Sequence, residues 1–193
     1  PSSNLHATAV PATLIDSRVL RWAEYLPFVE AGGYEQPQWW SEAGAAWVAR
    51  ERATAPRYTR RVGPAWQQWR HGEWRALDLS LAACHLTAFE AEAWCRWAGR
   101  RLPTEAEGER AALERPDEFA WGQVWEWTAS PCLPYPGFEP HQYRDYSAPL
   151  VGDRPVLRGA SFMTQPRMRH PRYRNFFMAH RNDVPAGFRT CRR

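Results

Sequence analysis

Apolar side chains recur at helical spacing near the start of the chain. They predict a helix over Leu20–Ala31. Gly32 and Gly33 are expected to end this helix, because glycine readily takes the left-handed conformation of a helix C-cap. A shorter helix is predicted after Ser41–Gly44, through Trp47 to Arg52. Over Pro56–Leu79 tryptophan and arginine alternate with turn residues, and this segment is predicted to form short strands or irregular coil.

Two capping boxes mark helices in the middle of the chain. Thr87 is followed by Glu90, and Thr104 by Glu107, so each threonine and glutamate can satisfy one another's free backbone N–H groups. The first box opens a helix that ends at Gly99, and the second opens the next helix. The sequence thus predicts both helix starts from local chemistry.

The helical pattern stops after Pro116, and shorter apolar runs replace it. Strands are predicted over Val124–Thr128, Val156–Phe162 and Gly187–Cys191, with an excursion rich in Pro, Gly and Tyr over Pro131–Tyr146. Trp125–Trp127 is expected to be part of the core. The chain is therefore predicted to be a loop-rich α+β domain over residues 1–193, with helices in the first two thirds and short antiparallel strands.

Composition agrees with a single packed domain. The chain has 193 residues, of which 44% are hydrophobic and 14% aromatic, so intrinsic disorder is excluded. Twelve tryptophans imply many polar partners for indole N–H groups inside the core. All 25 basic residues are arginine, and they are mixed with acidic residues, so the net charge of +4 does not imply nucleic-acid binding.

The cysteines and the hydropathy pattern favour a reducing cytoplasm. Four cysteines show no CxxC or metal-finger spacing, and their pairing is left open (Cys84, Cys95, Cys132 and Cys191). No basic and apolar leader pattern is present, and no run approaches the ~20 apolar residues that a membrane span requires. We therefore expect a cytoplasmic protein without a membrane partner.

Three stretches in order carry a resemblance to a known family. They are Ala88–Cys95 running into Arg101–Glu107, then Val124–Trp127, then Arg158–Phe162 with Gly187–Arg189. Together they resemble the formylglycine-generating-enzyme/sulfatase-modifying-factor domain, over nearly the whole chain. The resemblance implies that family's irregular α+β fold, which is C-type-lectin-like.

Further segments narrow the resemblance. Phe28–Tyr34, Tyr135–Phe138 and Arg169–Phe177 resemble the C-terminal half of ergothioneine-type sulfoxide synthases and of the related selenoneine synthases. This resemblance implies an Fe(II)-dependent oxidoreductase that uses O2 to form a C–S or C–Se bond on hercynine with a thiol or selenol donor.

The sequence departs from the wider family at one position and in one segment. The family's usual tryptophan after Thr-Glu-Ala-Glu is Gly108 here, which predicts a hole or a rearranged core. True formylglycine generators bind copper with paired cysteines after the Arg-Gly-Gly-Ser-like strand, whereas Phe162–Arg169 contains none. Since thiolates are the ligands that Cu(I) prefers, that activity is not expected.

The resemblance places the iron ligands outside this chain. In the synthases they come from an N-terminal helical-bundle domain with a His-x-x-x-His-x-Glu pattern, which is absent here. The six histidines are scattered without an i, i+4 pair (His6, His71, His85, His141, His170 and His180). We therefore expect no metal site within this chain, and we expect a helical iron-binding domain as its partner.

The segment Arg172–Arg181 holds the expected substrate contacts. The resemblance implies that Asn175 and Arg181 contact the carboxylates of hercynine or of the donor, which suits the bidentate guanidinium. Arg174, Phe176 and Phe177 are candidates in the same segment. Some family members carry Trp-Asp where Phe176 and Phe177 stand, so a donor other than γ-glutamyl-cysteine is expected, such as cysteine or a selenosugar. The alternative is that the arginines tie loops to buried carboxylates.

Two tyrosines are the expected catalytic residues. The synthases are thought to use a tyrosine that delivers a proton or hydrogen atom, and Tyr135 and Tyr143 lie in the excursion expected to line the cleft. Packing is the alternative role for each. Two other functions remain open for the chain: a non-catalytic C-type-lectin-like ligand-binding module, and a structural subunit that completes an iron site on a separate polypeptide.

Overall fold

The computed structural model describes residues 9–134 and 154–193. Within these ranges four α-helices precede most of the strand pairing: α1 Trp22–Glu30, α2 Glu42–Glu51, α3 Ala88–Trp97 and α4 Glu105–Glu114. The strands are β1 Thr59–Val62, β2 Ala65–Arg70, β3 Glu73–Ala76, β4 Arg100–Arg101, β5 Trp125–Pro131, β6 Pro155–Gly159, β7 Asn175–Phe176, β8 Ala186–Gly187 and β9 Cys191–Arg192. The predicted α+β class is confirmed.

The strands form three small sheets. Strands β1, β2 and β3 make an antiparallel meander, so the Trp- and Arg-rich segment is strand rather than coil. The order of the largest sheet is β7-β6-β5-β8, in which the β5–β8 pair is parallel and the other pairs are antiparallel. Strands β4 and β9 form the third sheet.

Both predicted capping boxes are confirmed. The Thr87 hydroxyl accepts from the Glu90 N–H at 3.0 Å, and the Glu90 carboxylate accepts from the Thr87 N–H at 2.7 Å. Thr104 and Glu107 make the same reciprocal bonds at the start of α4. Helix α2 begins earlier than predicted, because Ser41 acts as its N-cap.

Aromatic side chains from α1, α3 and the C-terminal segment fill the core. Trp22, Tyr25 and Phe28 of α1 are fully buried, and the Phe188 ring packs edge-on against Tyr25 and against Trp94 of α3. Buried indoles find hydrogen-bond acceptors, as expected: the Nε1 of Trp94 donates to the Glu24 carbonyl and that of Trp127 to the Leu86 carbonyl.

The prediction of one closing strand over Gly187–Cys191 is wrong. The chain leaves the large sheet after Gly187 and joins β4 only at Cys191. Glycine is needed at 187 because a Cβ there would collide with the Ala83 carbonyl. Between the two strands lies the buried Arg189, which pairs with Glu126 of β5.

Gly108 faces open space within α4. Apart from its chain neighbours and its own helix backbone, no atom of the described residues lies within 4 Å of where its Cβ would stand, and a cavity of about 20 Å³ adjoins it, lined in part by Phe119 and Trp121. A cavity of this size holds about one water. The predicted hole is therefore present but small.

All four cysteines lie in the described ranges, where they are buried and form no disulfide. Burial raises the pKa of the Cys84 thiol to about 12 and that of Cys191 to about 11, so both stay protonated at neutral pH. In the described part of the chain, no helix is both long and apolar enough to cross a membrane.

Candidate functional site

The loop Phe177–Pro185, between β7 and β8, carries Arg181, which the resemblance predicts to contact a substrate carboxylate. Backbone hydrogen bonds fix it against the segment that leads into α3: the Ala88 N–H donates to the Ala179 carbonyl at 2.9 Å, and the Leu86 N–H to the Ala186 carbonyl at 3.0 Å. This β7–β8 loop is thus held near both of its ends.

Arg181 and Asp183 form a bidentate ion pair on this loop. Arg181 Nε donates to Asp183 Oδ1 at 2.6 Å, and Nη2 donates to Oδ2 at 2.7 Å. Each side chain is 42% exposed. Hydrogen bonding to Arg181 lowers the pKa of Asp183, and the same bond raises the pKa of Arg181, so both stay charged at neutral pH. The guanidinium carbon lies 5.5 Å from the centre of the Phe177 ring.

A second arginine reaches the β7–β8 loop from the start of the meander. Arg57 Nη1 donates to Asn182 Oδ1 at 2.9 Å, and its charge also lowers the pKa of Asp183. The Arg57 guanidinium stacks 4.8 Å from the centre of the Tyr58 ring. The carboxylate of Asp183 is therefore influenced by the charges of two arginines, Arg181 and Arg57.

His85 lies beneath the same loop. Its ring meets the Tyr58 ring edge-on at 5.0 Å, and both residues have left-handed backbones, with φ near 63°. Burial lowers the pKa of His85, although the backbone groups of Asn182 and Val184 act in the opposite direction. His85 is thus neutral at physiological pH, and its contacts support the loop from inside.

Asn175 and Phe176 form β7 at the edge of the large sheet. Asn175 pairs with Leu157 and Phe176 with Val156 of β6, and Asn175 Oδ1 accepts from the Phe176 N–H at 2.9 Å. Both side chains are half-buried, as is Phe177, which packs against the main core. The three candidates therefore lead directly into the β7–β8 loop.

Arg174 binds carboxylate and backbone groups of the protein. Its Nη2 donates to Glu105 Oε1 at 2.7 Å and its Nη1 to the Leu133 carbonyl at 2.6 Å. Glu105, in the first turn of α4, also binds Arg158 at 3.0 Å. These contacts fit the alternative reading, in which arginine ties a loop to a carboxylate. A substrate contact by Arg174 stays a prediction.

The two catalytic tyrosine candidates cannot be placed relative to this loop. Tyr135 and Tyr143 both lie outside the described residues. Across residues 9–134 and 154–193, no group of three or more His, Cys, Asp or Glu side chains is placed to hold a metal ion.

Sequence reasoning missed Asp183, Arg57 and His85. The signal for Asp183 was available, because an acidic residue two positions after Arg181 can fold back onto the guanidinium. Arg57 and His85 are more than 90 residues away from that arginine along the chain. Only the tertiary fold brings them to the β7–β8 loop.

Comparison with known proteins gives consistent matches. Residues 3–123 match the sulfatase-modifying factor enzyme 1-like domain. Proteins named hercynine oxygenase from Mycobacterium tuberculosis and Mycolicibacterium smegmatis are 34% and 32% identical to the chain; each match covers 96% of this chain and 54% of that protein. The formylglycine-generating enzyme of M. tuberculosis is 32% identical over 61% of this chain and 47% of its own length. The chain spans about half the length of the curated relatives it matches.

Proposed function

The chain belongs to the sulfatase-modifying factor enzyme 1-like family, and from that premise we propose that it recognises substrate in an oxidoreductase acting on hercynine. The enzyme is a sulfoxide or selenoxide synthase of the ergothioneine or selenoneine type. Similarity to hercynine oxygenases over 96% of the chain is the observation that carries this proposal.

The proposed reaction joins hercynine to the chalcogen of a donor. With a thiol, a C–H bond of hercynine and the S–H bond are lost and a C–S bond forms. O2 accepts four electrons, so that one oxygen atom enters the sulfoxide and the other leaves as water. Fe(II) is the cofactor that supplies O2 activation when bound. By resemblance to the synthases, its ligands are proposed to come from a helical iron-binding domain outside this chain.

The β7–β8 loop is proposed to bind and orient the substrates. Arg181 binds a carboxylate, for which its planar guanidinium offers parallel N–H groups. Asn175 contributes an amide at the edge of β7, while Phe176 and Phe177 provide apolar surface beside it. Proton or hydrogen-atom delivery by Tyr135 or Tyr143 remains part of the proposal, as does a cytoplasmic location.

Product analysis of the full-length protein tests this function. The protein is loaded anaerobically with Fe(II) and then given hercynine, O2 and either L-cysteine or a selenol donor. We expect mass spectrometry to detect a product in which hercynine and the donor are joined with one added oxygen atom.

Two other results would contradict the proposal. Hercynine that binds but stays unchanged with every donor would favour the ligand-binding module. Oxidation of a peptide cysteine to formylglycine would instead indicate the activity of the family's formylglycine generators, which the lack of cysteine in Phe162–Arg169 argues against.

A further inference from the structure

We propose that Tyr34 and Glu90 form a redox-active pair in the core, in which the phenol gives an electron to an oxidant and its proton to the carboxylate. The oxidant is a one-electron oxidant that escapes from the activation of O2, so its source rests on the proposed function. The pair protects the protein, because it holds an oxidising equivalent until a thiol or another reductant removes it.

The two oxygens of the Glu90 carboxylate have separate partners. Oε2 accepts from the Thr87 N–H at 2.7 Å and from the Thr87 hydroxyl at 2.9 Å, and these bonds belong to the capping box of α3. Oε1 accepts from the hydroxyl of Tyr34, which lies in the short helix Gly33–Glu35. The bond from Tyr34 is therefore an addition to the cap, and it joins a phenol to a buried carboxylate.

Burial keeps the proton on the phenol before oxidation. Tyr34 is 5% exposed and Glu90 is fully buried, and burial raises the pKa of Tyr34 well above its ordinary value, whereas the pKa of Glu90 is about 7. In mildly alkaline buffer the pair is thus a neutral phenol that donates to a carboxylate.

Loss of an electron reverses this preference, since an oxidised phenol is a strong acid. The phenolic O–H bond then breaks and its proton moves along the existing hydrogen bond to Glu90 Oε1. The products are a neutral phenoxyl radical, a carboxylic acid and an oxidant reduced by one electron. No isolated positive charge is left in the core, where its desolvation would be costly.

A second phenol supports the oxygen of the first. The hydroxyl oxygens of Tyr25 and Tyr34 are 3.2 Å apart. Because the only hydroxyl proton of Tyr34 is directed at Glu90, Tyr25 is the donor in this bond. That donor remains in place after oxidation and stabilises the phenoxyl oxygen, so Tyr34 is the favoured position for the radical.

Indole rings connect Tyr34 with helix α2. The centre of the Trp40 ring lies 5.3 Å from that of Tyr34 and 6.1 Å from that of Trp47. Tryptophan and tyrosine are the side chains that lose an electron most easily, and rings this close exchange electrons readily. Trp47 is 4% exposed and is followed along α2 by exposed positions, so the path runs from below the surface to the pair.

The other side of the pair lies close to the β7–β8 loop. Helix α3 begins at Ala88, whose N–H donates to the Ala179 carbonyl of that loop at 2.9 Å, and Glu90 follows two residues later. Phe177 of the loop packs against the same hydrophobic core as Tyr34. The pair is thus near the loop that is proposed to bind the substrates.

Flash photolysis of the metal-free, full-length protein tests the pair without turnover. The four cysteines of this chain are buried, so a thiol-reactive ruthenium photo-oxidant can be attached at Ala46→Cys, an exposed position beside Trp47. In mildly alkaline buffer we expect the visible absorption band of a neutral tyrosyl radical. Tyr34→Phe should abolish this band, whereas Tyr173→Phe, at an exposed tyrosine, is the control and should keep it.

The proton step has its own test. Glu90→Gln keeps the shape of the side chain but cannot take up the proton, so the tyrosyl radical should form about 100-fold more slowly, the effect of losing a positioned base. With Glu90 in place, its formation should also slow in D2O, a result that does not depend on how a variant folds. A band that persists in Tyr34→Phe, or an unchanged rate in D2O, would overturn the inference.

The protective role is tested in the Fe(II)-loaded, full-length protein with hercynine, O2 and a donor. Tyr34→Phe should lose activity after fewer turnovers than the wild type, with the same initial rate. Equal numbers of turnovers would overturn the protective role. If neither protein forms product, the proposed function fails, while the photolysis still decides whether Tyr34 and Glu90 are redox-active.

Discussion

Two arginine–carboxylate pairs of this chain differ in how deeply they are buried. Arg189 and Glu126 are paired inside the core, with side chains 1% and 7% exposed, whereas Arg181 and Asp183 are paired on the β7–β8 loop at 42% each. Both arginines use Nε and Nη2 to contact the two carboxylate oxygens. The two pairs therefore share one contact geometry in very different surroundings.

The difference lies in the remaining N–H groups. Arg189 also donates to the carbonyls of Asp16 and Ala120, and its guanidinium stacks 3.6 Å from the centre of the Phe119 ring. It thereby ties three segments together and is closed to solvent. In the described part of the chain Arg181 makes no comparable set of backbone contacts, which leaves it able to meet a ligand.

The largest expected effect comes from breaking the buried pair. Arg189→Met should lower the free energy of unfolding by about 3–5 kcal/mol, because Glu126 is left buried without its counter-charge. Arg181→Met, the same change on the exposed pair, should cost less than about 1 kcal/mol. Urea unfolding of both variants measures the contrast, and equal losses would contradict it.

Glu90 extends the comparison to a buried carboxylate that is not paired with arginine. Glu90 accepts hydrogen bonds from Thr87 and Tyr34, and burial raises its pKa to about 7. Glu107, by contrast, accepts from Arg101, and this bond lowers its pKa to about 2. Folding therefore favours the protonated form of Glu90. Its contribution to the free energy of unfolding is full below about pH 4.5 and is lost as pH rises through about 7.

Urea unfolding across this pH range should reveal that loss. We expect the free energy of unfolding of the wild type to fall by up to about 3 kcal/mol between pH 4.5 and 7.5, relative to Glu90→Gln. The amide of this variant is neutral throughout, so it serves as the reference. A constant difference between the two proteins would show that Glu90 stays ionised in the fold.

On the exposed pair the main effect should be on activity. In the full-length, Fe(II)-loaded protein, Arg181→Met should lower kcat/KM for the substrates, hercynine and the donor, by about 10- to 100-fold. The reason is that a charge-assisted carboxylate contact is lost. The melting temperature should stay within about 2 °C of the wild type. Arg61→Met, on the exposed strand β1, is the control. Unchanged turnover with a clearly lower melting temperature would make Arg181 structural.

The smallest expected effect is a gain in stability. Gly108 lies inside α4 with open space around it, so Gly108→Ala should raise the free energy of unfolding by about 0.5–1 kcal/mol through helix propensity. Urea unfolding at neutral pH measures this, with kcat/KM expected to be unchanged. A loss of stability would mean that the cavity beside Gly108 holds a structural water.

Local chemistry explains which features the sequence could predict. The two capping boxes depend on residues three positions apart, and both were found where the pattern placed them. The break between Gly187 and Cys191 could not be read in this way, because Cys191 pairs with Arg101 of β4, which is far away along the chain. Likewise Arg181 was identified by resemblance, whereas Arg57 and His85 come to the β7–β8 loop from distant parts of the chain and could not be predicted from local sequence.

A crystal structure of the full-length protein with hercynine and L-serine tests the central claim most directly. L-Serine carries the zwitterion of cysteine without its thiol, so it cannot be turned over. The account predicts a ligand carboxylate within about 3 Å of Arg181 Nη1 or Nη2. Ligands bound elsewhere, with Arg181 and Asp183 contacting only each other, would contradict it.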